Sequence, residues 1–212
     1  MKDCCSTKGQ ELATLALKAD QRRVLVAVLI INVIMFVVEF SAGVIANSSA
    51  LMADAVDMLG DALVYGLSLY ALNRGVRWEA GAAVAKGLVI LAFFFIILAE
   101  IVSKLINGSP PSSQLMLIFG GVALLANLAC LAMLWRFRSL NVNMSSTFEC
   151  SRNDVAANVG VMVAAGAVAY FDSAWPDIIV GVCIALLFLS SAVRILRTAW
   201  PQFRQARQAA RP

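Results

Sequence analysis

The chain has 212 residues, 61% of them hydrophobic and only 14% charged, with 17 Lys and Arg against 13 Asp and Glu. A mean hydropathy of +0.82 lies far outside the range of soluble domains and excludes a water-soluble enzyme or nucleic-acid-binding module. The sequence contains no histidine, so neither an imidazole metal ligand nor an imidazole proton relay is available.

A spanning helix needs roughly 20 mainly apolar residues. In chain order the sequence offers six: 24–46, 49–72, 83–106, 114–136, 146–170 and 176–197. The expected fold is all-α, a polytopic membrane protein with six transmembrane helices in one domain over 24–197, a polar N-terminal tail over 1–23 and a short basic tail over 198–212. The first 23 residues lack the short apolar region of a signal peptide, so none is expected.

Orientation follows from the basic residues. With the N-terminus inside, the cytoplasmic segments hold Lys2, Lys8, Lys18, Arg22, Arg23, Arg74, Arg77, Lys86, Arg136, Arg138, Arg194, Arg197, Arg204, Arg207 and Arg211, fifteen of the 17. The outer loops 47–49, 107–114 and 171–177 hold none. Both termini are therefore expected in the cytoplasm. The net charge of +4 is a consequence of topology and calls for no nucleic acid.

Two ligand-type pairs interrupt the apolar runs at helical spacing. Asp57 and Asp61 lie in the second span, Cys150 and Asp154 in the fifth. Residues four apart share a helix face. A carboxylate in hydrocarbon costs several kcal/mol unless paired or hydrated, so the pairs read as an ion site. Each lies on the middle span of a triplet, the triplets are separated at Pro110-Pro111, and opposite starting sides make an inverted repeat. At 1.5 Å per residue Asp57 and Asp61 lie roughly 12 and 18 Å below the outer edge, and Asp154 about 18 Å below it. One shared site is thus geometrically allowed. Carboxylates alone suit hard divalent ions, and a thiolate shifts preference towards zinc, cadmium or cobalt. Ligands bind metal deprotonated, which predicts exchange of metal for protons by alternating access.

The segment Leu51-Met-Ala-Asp-Ala-Val-Asp-Met-Leu-Gly-Asp61 resembles the second helix of the cation diffusion facilitator family, with its (His/Asp)-x-x-x-Asp pair. The segment from Cys150 to Val161 resembles the family's fifth helix, with Cys150 where histidine is usual. The resemblance implies a transport quartet of Asp57, Asp61, Cys150 and Asp154 and a homodimeric exporter of zinc-like divalent metals driven by proton exchange, in a bacterial inner membrane. It implies no prosthetic group, the transported divalent ion being the only metal, with zinc first. About 15 residues follow the last span, so the reading is a short form without the family's cytoplasmic C-terminal domain.

Asp54 precedes the pair on the same face, with Tyr65 and Ser68 extending the stripe. Glu39 with Asn32 in the first span, and Asn158 in the fifth, are further candidates for the pathway or its support. Glu100 and Lys104 are read as a mutually neutralising i, i+4 pair, and Glu149 with Arg152 likewise. Cys130 and Cys183 are read as small apolar side chains. Cys4 and Cys5, adjacent in the tail, are either a metal-capturing thiol pair or without a role. Arg204, Arg207 and Arg211 are expected to meet anionic lipid. The competing readings are a membrane metal sensor or chaperone that does not transport, and a transporter of soft metals such as mercury or lead. A membrane enzyme is disfavoured: no nucleophile motif and no room for a catalytic domain are present.

Overall fold

A computed structural model describes the backbone of residues 4–71, 76–107, 109–139 and 142–208. Side chains are described from Ala19 on, excepting chiefly 64–65, 67–80, 140–147 and 149–150. The described backbone forms six helices, α1 (Cys4–Ala46), α2 (Ser49–Ala71), α3 (Val76–Asn107), α4 (Ser113–Trp135), α5 (Val142–Phe171) and α6 (Trp175–Gln208), and no strand.

Several helices exceed the predicted spans. α1 starts at Cys4, and the run from Glu11 to Lys18 is, apart from Thr14, built of Glu, Leu, Ala and Lys, all strong helix formers. α6 continues through Pro201 to Gln208. Five stretches are long and apolar enough to cross a membrane: Ala19–Ala46, Ala83–Ile106, Ser113–Trp135, Ser151–Phe171 and Trp175–Pro201. α2 is not among them, for it carries Asp54, Asp57 and Asp61 within three turns.

The joints are chemically defined. Asn47 adopts φ 54°, the left-handed conformation that ends many helices, and Ser48 N–H reaches back to Gly43 O at 2.8 Å. Ser48 then caps the next helix, its Oγ accepting from Leu51 N–H at 3.1 Å. Ser112 N–H donates to Ala46 O at 2.9 Å, tying the start of α4 to the end of α1.

α1 packs on α2, α4 on α5 and α3 on α6, and contacts also join α1 to α4 and α2 to α5. Each helix thus meets its counterpart in the other triplet, the pattern expected of a repeated three-helix unit. α2 touches α1, α3, α5 and α6. From Ser49 to Ala62 nearly every α2 side chain is buried, so the helix is central and the polar stripe read from its sequence faces protein, not lipid. Leu51, Val56, Ile97, Met116 and Val161 fill the core around it. The outward surface is apolar: Ile45, Ile106, Leu125, Val163 and Leu186 are all exposed. A water-soluble protein does not present such a surface, whereas hydrocarbon accommodates it. The chain is a multi-pass integral membrane protein.

Candidate metal site

α2 presents Asp57 and Asp61 on successive turns, and α5 crosses it with Asp154. All three line one cavity of about 310 Å³, closed by Asn153 and Ala157 of α5 and by Ile184, Leu187, Phe188, Ser190 and Arg194 of α6. Asp61 and Asp154 are buried and Asp57 is half-buried. Asp57 and Asp61 are the carboxylates that α2 sets near Asp154 of α5. Asn153 and Arg194 are exposed, so the cavity reaches the surface at the end of the bundle where α6 carries its arginines. Three of the four residues expected to form the quartet therefore share one cavity. The side chain of the fourth, Cys150, lies outside the described residues, as do those of Cys4, Cys5, Tyr65, Ser68 and Glu149. Among the described residues no three of His, Cys, Asp and Glu stand close enough to enclose an ion as they are.

One turn beyond the cavity, on the side away from Arg194, lies a second polar layer. Glu39, Asp54 and Asn158 are fully buried, at 0%, 1% and 0% exposure. Asn158 Nδ2 donates to Asp54 Oδ2 at 2.8 Å and to the Asp154 carbonyl at 2.9 Å. Neither Glu39 carboxyl oxygen meets a hydrogen-bond donor among the described residues. The sequence reading named all three of these residues and did not connect them.

Two residues take roles that their sequence context did not point to. Arg194 had been assigned only to topology, yet it lines the cavity; its spacing of four from Ser190 on an amphipathic helix end was the available signal. Cys130 of α4, read as a small apolar side chain, is indeed buried in an apolar cluster with Val28, Leu134 and Phe137. Asp177, at the boundary between the outer loop 171–177 and the span 176–197, lies in the first turn of α6 and is fully buried.

Asp177 also corrects the expected Glu100–Lys104 pair. Lys104 Nζ donates to Asp177 Oδ2 at 2.8 Å, on a helix that α3 packs against along its length. The i, i+4 spacing made Glu100 available, but Lys104 is buried on the α6-facing side of α3 and Glu100 stays half-exposed. A buried ammonium requires a buried counter-charge.

Known proteins fit this arrangement. Residues 25–202 match the model of the cation efflux transmembrane domain. The cadmium, cobalt and zinc/H(+)-K(+) antiporter of Bacillus subtilis is 26% identical over 188 residues, covering 80% of this chain and 60% of the relative. The zinc transporter ZitB of Yersinia pestis is 27% identical over 197 residues, covering 86% and 62%. The metal cation efflux system protein CzcD of Cupriavidus metallidurans is 25% identical over 175 residues, covering 77% and 55%. The chain spans about 60% of the length of these relatives. The match runs from the first span to the last and takes in both acidic helices, so the chain belongs to the family defined by the cation efflux transmembrane domain.

Proposed function

We propose that this protein moves divalent transition-metal cations, zinc first, out of the cytoplasm in exchange for protons. The observation that carries the reading is the single cavity that gathers Asp57, Asp61 and Asp154 from two helices deep in an apolar bundle. Three carboxylates without a cation would repel one another in a medium of low dielectric. A divalent ion or protons relieve that repulsion, and competition between them is the chemistry of an exchanger. The relatives' names, which speak of zinc, cadmium and cobalt, of efflux and of H(+), support the same cargo and counter-ion.

In this reading α2 is a sixth crossing helix, screened from lipid by its neighbours so that it can afford three aspartates. Both termini lie in the cytoplasm, the side to which the basic residues are biased, and the cavity then opens inward beside Arg194. The membrane is the bacterial inner membrane, and the working unit is a homodimer by family resemblance. Cys150 stands one turn inward from Asp154 on the same face and supplies the fourth ligand, a thiolate that favours softer ions.

Two experiments test this. Zinc uptake into proteoliposomes is expected to follow an imposed pH gradient; uptake indifferent to the gradient defeats the exchange. Metal flux across zinc, cadmium and cobalt is expected to shift towards zinc in Cys150→His. An unmoved preference removes Cys150 from the site.

A further inference from the structure

The two ends of the bundle are built differently. At one end the aspartate cavity reaches the surface beside Arg194. Along α6, Arg194 stands ~25 Å from Asp177, and along α2, Asp57 and Asp61 stand about 12 and 18 Å from Ser49, taking about 1.5 Å per residue. Ser48, Ser49, Asp177 and the Lys104 ammonium therefore lie at the opposite end, and all four are out of solvent. Between the ends the way is filled. Leu51, Ala53 and Val56 of α2 and Ile178 and Ala185 of α6 belong to one buried apolar cluster.

The closed end consists of two bodies. Backbone hydrogen bonds hold the first: Ser48 N–H reaches Gly43 O, and Ser112 N–H reaches Ala46 O, so this end ties α1, α2 and α4 together. The second body is α3 with α6, tied by the Lys104–Asp177 ion pair. Asp177 joins the two. Its carboxylate accepts from Ser49 N–H, Ser49 Oγ, Ala50 N–H and Ser48 Oγ, and Lys104 Nζ lies 3.5 Å from Ser49 Oγ. Gly181 lets the bodies close fully, since a Cβ there would stand 3.0 Å from the Ser49 carbonyl carbon. To this contact α2 brings hydroxyls and helix-terminal N–H groups, while both charges belong to α3 and α6. Parting the bodies therefore leaves the carboxylate its lysine, and water can replace the hydrogen bonds that are lost. An ion pair straddling the seam would instead be split, the costly way to open a buried contact.

We propose that Asp177 and the head of α2 form the outer gate of the transport cycle. The contact stands while the cavity is open at the Arg194 end, and its release lets the ion leave at the opposite end. Lys104 is a positioning residue that holds the Asp177 carboxylate in both states. Alternating access requires one end to be shut while the other is open. Several hydrogen bonds gathered on one carboxylate suit that task. Half-separated, the groups are neither bonded to each other nor hydrated, so the contact favours the closed and the open arrangement over anything between. The gate rests on the transport reading above and does not depend on whether protons are the counter-ion.

Cross-linking of the full chain in lipid vesicles tests the gate. A Cβ on Gly181 would lie 3.1 Å from Ser49 Cβ, just short of the roughly 3.5–4.5 Å of a disulfide, so Ser49→Cys with Gly181→Cys can be oxidised across the seam. Relative to the wild type treated alike, oxidation is expected to cut zinc uptake at least about tenfold. Calorimetric zinc binding should match that of the reduced variant, and reductant should restore uptake. Undiminished uptake with the disulfide formed overturns the gate. Should the disulfide not form, Ala50→Cys carries the test, because Ala50 is 0% exposed and its N–H meets Asp177. A membrane-impermeant thiol reagent on the outer side is expected to label it at least about tenfold faster during zinc transport than without zinc. No acceleration while zinc is moving also overturns the gate. If uptake ignores the pH gradient yet the disulfide blocks it, the exchange reading fails and the gate stands. If uptake follows the gradient whether or not the disulfide is present, the gate fails and the exchange stands. Zinc binding without uptake by the wild type defeats both.

Discussion

Lys104 and Asp177 meet at 2.8 Å with both side chains wholly out of solvent, and Asp177 also binds the start of the helix that carries the site. Its carboxylate accepts from Ser49 N–H at 2.9 Å, from Ser49 Oγ at 2.7 Å, from Ala50 N–H at 3.2 Å and from Ser48 Oγ. The first backbone N–H groups of a helix have no partner within it, and here a carboxylate from another helix satisfies two of them. This contact joins the α3–α6 pair to α2 and sets how far α2 stands in the bundle.

Removing one member of a buried ion pair leaves an uncompensated charge, which costs about 3–5 kcal/mol. Lys104→Met and Asp177→Asn are expected to lower thermal stability by amounts of that order. Glu100→Gln, which changes the lysine's expected but unused partner, should shift stability by less than about 0.5 kcal/mol. Thermal unfolding of the purified protein in detergent checks all three. A loss in Glu100→Gln equal to that in Lys104→Met would restore the i, i+4 pair.

Two glycines set the spacing around the head of α2. A Cβ on Gly43 would lie 2.7 Å from Met52 Cγ and 2.9 Å from the Met52 backbone nitrogen. One on Gly181 would lie 3.0 Å from the Ser49 carbonyl carbon. Backbone cannot swing aside as a side-chain tip can, so Gly43→Val and Gly181→Val should each cost about 1–3 kcal/mol through overpacking. A Cβ on Gly166 meets nothing within 4 Å, and Gly166→Ala should be neutral or stabilising by up to about 1 kcal/mol. Melting temperatures of the three variants decide.

Asp57→Asn, Asp61→Asn and Asp154→Asn are each expected to weaken zinc binding by more than the 10–100-fold typical of changes in outer-shell partners. Because the three line one cavity, their effects should not add. Asp61→Asn combined with Asp154→Asn should lose less than the sum of the single losses, as expected for groups that act on one ion. Calorimetric titration of the singles and the double measures this. Strict additivity would mean separate sites.

Arg194 brings a positive charge to a cavity whose other charged lining groups are aspartates. It opposes a cation and offsets part of the carboxylate charge, so Arg194→Gln should tighten zinc binding about fivefold, equivalent to ~1 kcal/mol at a partly hydrated site. The gain should shrink as salt is raised, since screening acts on exposed charges. Weaker binding in Arg194→Gln would instead make the arginine a support for the aspartates.

The all-helical, multi-pass character of the chain was legible in its residues because helical membrane segments are a local property. Some 20 apolar residues must satisfy their own backbone within the segment, and no distant contact is needed to see it. The acidic pairs were legible for the same reason: positions four apart on a helix share a face whatever surrounds them. What only the tertiary structure decided is which faces meet. Spacing allowed Asp57, Asp61 and Asp154 to share a level, and the crossing of α2 and α5 under α6 put them in one cavity with Arg194. Spacing offered Glu100 to Lys104, yet burial turned the lysine to Asp177, 73 residues away. Asp54 and Asn158 were each noticed alone, and only the packing of α2 on α5 joined them in a hydrogen bond. A side chain's residue type and its position on a helix are written in sequence. The charge it must live beside depends on long-range packing, where the cost of an unpaired buried group selects the partner.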